Sequence, residues 1–256
     1  MAHLDGKVGI IFGVANHRSI AWAIAQAADR DGATLVLSYQ DDRVGRFVSE
    51  LAEKLSRPPL LVQCDVSDDA QIERMYATVR ERFPRLDFLV HSLAFANREN
   101  LEGRFVDTSR EDFRLALDVS AYSLTAVTRG ALPLLAEGAS VIALTYLGSV
   151  RAMPNYNVMG VAKAALEACV RYLAADLGPQ GIRVNAVSAG PVQTLSARAI
   201  SGFTDFRKGM SERAALHRNI EVQEVAEAAT FLLGPGSSGI TGQVIYVDAG
   251  YNIMGV

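Results

Sequence analysis

Tyr156 and Lys163, within the stretch NYNVMGVAK that begins at Asn155, are the residues of this chain whose types and spacing can do proton chemistry. A helix rises ~1.5 Å per residue and closes a turn in about 3.6 residues. Seven positions therefore bring the phenol and the ammonium to nearly one face, about 10 Å apart along the axis, where both can attend one extended ligand. A phenol with an ordinary pKa near ~10 becomes a useful acid when a cation lies close, and the three donors of a lysine suit the hydroxyls of a ribose. The same spacing also describes a buried ring and a solvated charge on an amphipathic helix, so the surrounding chain must decide.

The elements that must position this pair alternate. Short β-branched and apolar runs at 7–12, 34–38, 60–63, 87–91, 140–145, 183–188 and 243–247 read as strands. Between them, apolar residues at helical spacing predict helices over 19–31, 43–55, 69–83, 109–135, 157–177 and 221–233. Strict β/α alternation implies a parallel sheet, and runs such as VGIIF from Val8 and VIAL from Val141 are apolar throughout, as strands covered on both faces must be. The expectation is α/β: one Rossmann-type, doubly wound, seven-stranded parallel sheet with helices on both faces. The 256 residues suffice for one large domain, and no linker or low-complexity stretch divides them. Ligands of such folds lie beyond the carboxyl ends of the strands, so the residues after each strand are the ones to read.

After the first strand comes GVANHRSIA, Gly13 to Ala21, a turn entering a helix whose free N–H groups and positive dipole end can hold a pyrophosphate. Of the glycines in the usual G-x-G-x-x-G only Gly13 remains, with Ser19 and Ala21 as small replacements. The second strand ends in SYQDD from Ser38, about twenty residues beyond the helix start, where such folds select the adenosine ribose. Gln40 can hydrogen-bond a ribose hydroxyl, while Asp41 and Asp42 would repel a 2'-phosphate if they face it; NADH is expected over NADPH, unless these residues form only a solvated turn. The third strand ends at Cys64, Asp65 and Val66. Asp65 either accepts from an adenine amino group, with Val66 packed on the ring, or caps the next helix. The fourth ends in HSLAFA from His91, small residues that admit a close backbone, and His91 itself reads as structural.

Other chemistries are excluded. The net charge of -3 and scattered basic residues lack the footprint of a nucleic-acid binder. Cys64 and Cys169 form no framework, and His3, His17, His91 and His217 are too dispersed for a metal site. The segment AVSAG, Ala186 to Gly190, fails as a nucleophile elbow because strand residues run into Gly190 and Pro191 instead of a sharp turn and helix. No export signal or membrane span opens the sequence, so a soluble cytoplasmic protein is expected.

Over nearly its whole length the chain resembles the bacterial NADH-dependent enoyl-[acyl carrier protein] reductases, a divergent branch of the short-chain dehydrogenase/reductase superfamily. The likeness runs through GVANHRSIAW from Gly13, QCDV from Gln63, LTYLG from Leu144, PNYNVMG from Pro154, RVNAVSAGP from Arg183, Thr241–Gly242 and VDAG from Val247. Ordinary superfamily members carry Tyr-x-x-x-Lys; here Gly160 stands four after Tyr156 and the lysine waits until Lys163, the spacing that marks the enoyl reductases. Departures are Phe12 before Gly13, Ala249 in place of a second glycine, and Thr145 near the place of the superfamily serine.

The resemblance implies reduction of the carbon–carbon double bond of a trans-2-enoyl thioester by NADH, the final reductive step of fatty acid elongation. Gly13, Ser19 and Ile20 would hold the pyrophosphate region, and Gln40, Asp65, Val66 and Leu93 the adenosine side. Lys163 would hold the nicotinamide ribose, and Val192, Gln193, Thr194, Leu195 and Ser196 the nicotinamide amide and remaining phosphate. Tyr146 and Tyr156 would flank the thioester. Residues 194–218 read as a lid over an acyl pocket lined by Ala96, Leu101, Met159, Ile200 and Phe203. Arg198, Arg207 and Lys208 would meet an acidic carrier protein, and the family implies a homotetramer to which Gln243–Val256 could contribute. Two other readings are a carbonyl reductase of the same superfamily, disfavoured by Gly160 and Thr145, and a dinucleotide-binding regulator, which has no need of both Tyr156 and Lys163.

Overall fold

The computed structural model describes residues 3–194 and 203–255, the side chains of 203–206 excepted. Its strands are β1 (Val8–Phe12), β2 (Thr34–Tyr39), β3 (Leu60–Gln63), β4 (Leu86–His91), β5 (Leu135–Thr145), β6 (Arg183–Ala189) and β7 (Val244–Val247). All pair in parallel, in the order β3-β2-β1-β4-β5-β6-β7. The order reverses between β1 and β4, whose ends Phe12 and His91 are register partners. Their departing chains form the crevice where ligands of doubly wound sheets bind.

The α-helices are α1 (Ile20–Arg30), α2 (Asp42–Ala52), α3 (Asp69–Arg82), α4 (Arg110–Leu117), α5 (Ser123–Ala131), α6 (Asn157–Leu177), α7 (Phe203–Arg213) and α8 (Val222–Leu233). Each face of the sheet carries its own core. Trp22 and Ile24 of α1, Val48 of α2 and Val225 of α8 pack on one; Ile72 and Tyr76 of α3, Val127 of α5 and Leu166 and Val170 of α6 pack on the other. Complete burial of such side chains contributes about 1.5–3 kcal/mol each, which is why every residue of β4 and β6 is buried and why neither alternates.

The single helix expected over 109–135 is a correction. The chain forms α4, a π-helical segment at Asp118–Tyr122, then α5, and by Leu135 it has entered β5 opposite Leu86. Apolar periodicity does not register the extra residue of a wide turn, and the early part of β5 passes through a register irregularity between Leu86 and Phe88. The other elements begin and end within a few residues of their expected bounds. On the far side of α8, the guanidinium of Arg183 donates to the carbonyls of Leu232 and Gly234 and to Ser237 Oγ, satisfying the helix end from inside the protein.

Candidate active site

Gly13 leaves β1 with φ +96°, and a Cβ there would meet Ser92 O at 2.0 Å, so the two chains leaving β1 and β4 touch through a position only glycine can fill. Ser19 stands at the N-cap of α1 but does not cap it. Its hydroxyl donates to Asn16 O at 2.7 Å and folds the loop on itself. The first turn of α1 holds no acidic residue, so its N–H groups and dipole face the crevice without an internal anion. Loop and helix end thus form a cradle fit for a pyrophosphate.

Beyond β2 and β3, Gln40 Nε2 donates to Asp65 Oδ2 at 3.1 Å, joining the two residues expected at the adenosine side. Burial pushes the Asp65 carboxyl up, but hydrogen bonds from the Ser67 backbone and hydroxyl and from Gln40 outweigh it and hold the group below its ordinary range. The helix-cap alternative for Asp65 does not hold: Asp68 caps α3, accepting from Ala70 N and Gln71 N. Asp41 is likewise engaged as the N-cap of α2, accepting from Val44 N at 2.8 Å. Val66 and Leu93 pack, half-buried, on the core under α3, α5 and α6.

Tyr156 occupies the N-cap of α6, not its body, and Lys163 follows two turns inside. Asn155 and Asn157 on either side both have left-handed backbone, φ 56° and 34°. Two such residues flanking one tyrosine are a costly arrangement for residues with a Cβ, and Asn157 Nδ2 offsets part of it by donating to Glu102 O and Gly103 O. The Tyr156 ring meets the edge of Tyr146, just past β5, with centroids 4.9 Å apart and planes at 70°. Gly148 makes this possible, because a Cβ there would lie 2.5 Å from the Tyr156 ring and 3.2 Å from Tyr146. Burial raises both phenols above their ordinary range, so both stay protonated donors.

Lys163 is buried, and its ammonium donates to Leu144 O at 2.7 Å, leaving further N–H donors for a ligand. Desolvation lowers it to about 8, opposed by the charge of Glu167. At position 160, where ordinary superfamily members have lysine, a Cβ would sit 2.8 Å from Gly148 O. Backbone contact thus closes the ordinary spacing. The Thr145 hydroxyl, near the place of the superfamily serine, donates to Glu167 Oε1 at 2.7 Å.

The chain leaving β4 carries Ala96, half-buried, beside Phe95, whose N–H donates to Ser120 Oγ at 2.9 Å. That hydroxyl donates back to Phe95 O at 3.1 Å. Ser120 lies in the π-helical segment, and Ser123, three residues on, bonds His91 Nε2 at 2.7 Å. Met159 is buried on α6. Val192 is buried against the α1–α8 core, Gln193 is exposed, and Thr194 N donates to Val192 O. Leu195, Ser196, Arg198 and Ile200 lie outside the described residues, as does the side chain of Phe203, whose backbone opens α7. Sequence reasoning missed Ser120, Ser123 and Glu167. The available signal was a polar residue on an otherwise apolar helix face. Among the described residues no three His, Cys, Asp or Glu side chains group as metal ligands, and no helix is long and apolar enough to cross a membrane.

Comparison with known proteins shows the family of the chain. The profile of the family described as enoyl-(acyl carrier protein) reductase matches residues 13–252. A protein of Nostoc sp. named enoyl-[acyl-carrier-protein] reductase [NADH] FabI is 52% identical, with 100% of both chains covered. One of Staphylococcus aureus MRSA252, named as the [NADPH] enzyme, is 48% identical, over 99% of this chain and 100% of its own. The crystal structure of the Bacillus cereus enoyl-acyl carrier protein reductase with NADP+ and indole naphthyridinone superposes with a TM-score of 0.98 at 47% identity, 100% of both chains covered. With its sheet order, its Gly13–Ser19 cradle and its Tyr156–Lys163 helix, this chain belongs to the enoyl-(acyl carrier protein) reductase family.

Proposed function

We propose that this protein is an NADH-dependent enoyl-[acyl carrier protein] reductase that saturates trans-2-enoyl thioesters in the last reductive step of fatty acid elongation. The observation that carries the reading is the packed pair Tyr146–Tyr156 at the carboxyl end of β5, with Lys163 two turns farther along α6 and beside the switch point of the sheet. The Gly13 cradle, the uncapped start of α1 and the Gln40–Asp65 pair fit a dinucleotide. Ser19 and Ile20 would hold its pyrophosphate, Gln40, Asp65, Val66 and Leu93 its adenosine, Lys163 its second ribose, and the chain from Val192 through Ser196 its nicotinamide end. The chemistry that NADH would supply when bound there is a hydride for the β-carbon of the enoyl thioester.

The protein's own groups receive the charge that this creates on the thioester oxygen. Tyr156, kept neutral by burial, donates a hydrogen bond there, and the worth of such a donor is greatest where charge develops, about 3 kcal/mol. Tyr146 holds the Tyr156 ring by its edge contact and forms the other wall of the thioester site. The proton for the α-carbon comes from Tyr156 or from solvent relayed through it. Lys163 orients the ribose, and much of the remaining rate comes from that orientation. Ala96, Met159, Ile200 and Phe203 line the acyl chain, and the segment 194–218 closes over it and excludes water.

Arg207 and Lys208, in the middle of α7, and Arg198 would offer positive charge to an acidic carrier protein. A cytoplasmic homotetramer completes the proposal. The test follows oxidation of NADH by the purified protein with crotonyl-CoA and, in parallel, acetoacetyl-CoA. Oxidation with crotonyl-CoA alone supports enoyl reduction; oxidation with acetoacetyl-CoA alone moves the protein to the carbonyl-reducing branch.

A further inference from the structure

Glu167 is a buried carboxylate that the reaction above does not use. Its residue is 5% exposed, and it lies one helical turn beyond Lys163 on the same face of α6. The two side chains grip consecutive residues of β5: Lys163 Nζ donates to Leu144 O at 2.7 Å, and Glu167 Oε1 accepts from Thr145 Oγ1 at 2.7 Å. Among the described residues, no cation makes an ion pair with Glu167. A carboxylate this deep with one hydroxyl donor is costly unless a positive charge offsets it, and the ammonium it faces is that of Lys163.

The other titratable groups around this pair come from neighbouring strands. His91, at the end of β4, feels the charge of Lys163, and Tyr246, on β7, feels that of Glu167. Both are neutral in the working range. Burial holds His91 down to about 3, while burial and then the charge of Glu167 hold Tyr246 above its ordinary range. Glu167 is therefore the charge that opposes the desolvation of the ammonium.

We propose that Glu167 is a positioning residue for cofactor binding: through Thr145 it fixes the face of α6 against β5, and through its charge it keeps the buried Lys163 ammonium protonated and able to hold the nicotinamide ribose. The inference rests on the NADH reading of the site. Removing the negative charge lets Lys163 lose its proton at a lower pH, so the alkaline loss of NADH affinity moves toward neutrality.

The experiment measures NADH affinity by fluorescence titration from about pH 6 to about pH 9.5 for the full-length protein, Glu167→Gln and Glu167→Asp, with thermal unfolding of each. Glu167→Gln keeps an acceptor for Thr145 but not the charge. Its alkaline limb should move down by about one unit, leaving affinity within about twofold of wild type near pH 6 and roughly tenfold weaker near pH 9. Glu167→Asp keeps the charge on a shorter stem, and its limb should stay with the wild type even if its melting temperature falls. A limb unmoved in Glu167→Gln, an equal loss at every pH, or a larger shift in Glu167→Asp than in Glu167→Gln would overturn the charge role. Failure of the wild-type protein to bind NADH at any pH would overturn the cofactor reading and this inference with it, whereas failure with crotonyl-CoA while NADH binds would strike the proposed reaction alone.

Discussion

The ring of Tyr156 stands edge-on to Tyr146 with 4.9 Å between centroids, beside Gly148, where a Cβ would meet both rings. The contact joins the end of β5 to the start of α6, and it holds a phenol at the N-cap of a helix with left-handed backbone on either side of it. An arrangement that stores strain around one hydroxyl is expected where that hydroxyl must be aimed.

Replacing Tyr156 by Phe removes the hydroxyl and leaves the ring. Turnover with crotonyl-CoA should fall by about 10²–10³, the usual cost of losing a donor to a developing oxyanion, while NADH affinity stays within about twofold. Steady-state kinetics together with an NADH titration check this. Lost NADH affinity with unchanged turnover would assign the phenol to the cofactor instead.

Gly148→Ala tests the aim of that hydroxyl without touching it. The new methyl would lie 2.5 Å from the Tyr156 ring, so the ring must shift. Misplacement by about 1 Å costs up to about 10² in rate, whereas a methyl at this partly exposed turn should cost less than about 2 kcal/mol of stability. The expected pattern is a large drop in kcat/KM with a small change in melting temperature.

NADH should give a higher kcat/KM than NADPH, because Gln40 and Asp65, the pair proposed for the adenosine side, meet and Asp65 is held ionised by its hydrogen bonds. Asp65→Ala should loosen Gln40 and weaken NADH binding by about tenfold, the loss of one or two hydrogen bonds. It should also narrow the preference, because it removes a negative charge hydrogen-bonded to Gln40, the residue proposed to hold the ribose. A competitive titration of both dinucleotides on wild type and variant decides, and a wild-type preference for NADPH would overturn the assignment.

His91 should give folding stability a pH dependence of known sign. Burial holds the imidazole down to about 3, its Nε2 is bonded to Ser123, and its buried Nδ1 has no hydrogen-bond partner among the described residues. Between about pH 6.5 and about pH 3 the unfolded chain therefore binds a proton that the folded chain refuses, and stability falls as pH falls through that window. Near pH 5.5 the slope from this residue is about 1 kcal/mol per pH unit. Denaturant unfolding from about pH 7 to about pH 5 should show it in the wild type and show it reduced in His91→Asn; equal slopes would mean that His91 takes up a proton in the folded state.

Most of the architecture was legible in the chain, because strands buried on both faces leave continuous apolar runs and helices over a sheet leave a period near 3.6. VGIIF, VIAL and the helix after Tyr156 are visible for that reason. The joining of α4 and α5 was not, since a π-helical segment changes the path of the chain by one residue while the apolar pattern runs on. Candidate residues were legible too: Gly13, Gln40 and Asp65 were singled out by their place after a strand, and Tyr156 and Lys163 by their types and their spacing on one helix. Only the tertiary structure decided which side chains meet. That Asp68 and not Asp65 caps α3, that Thr145 serves Glu167, that Ser120 holds Phe95, and that Gly148 makes room for two tyrosine rings are contacts between residues distant in the sequence or alternatives of equal local merit. Local pattern carries burial and period, but a hydrogen bond or a close ring contact depends on distances that exist only once the sheet has brought its strand ends together.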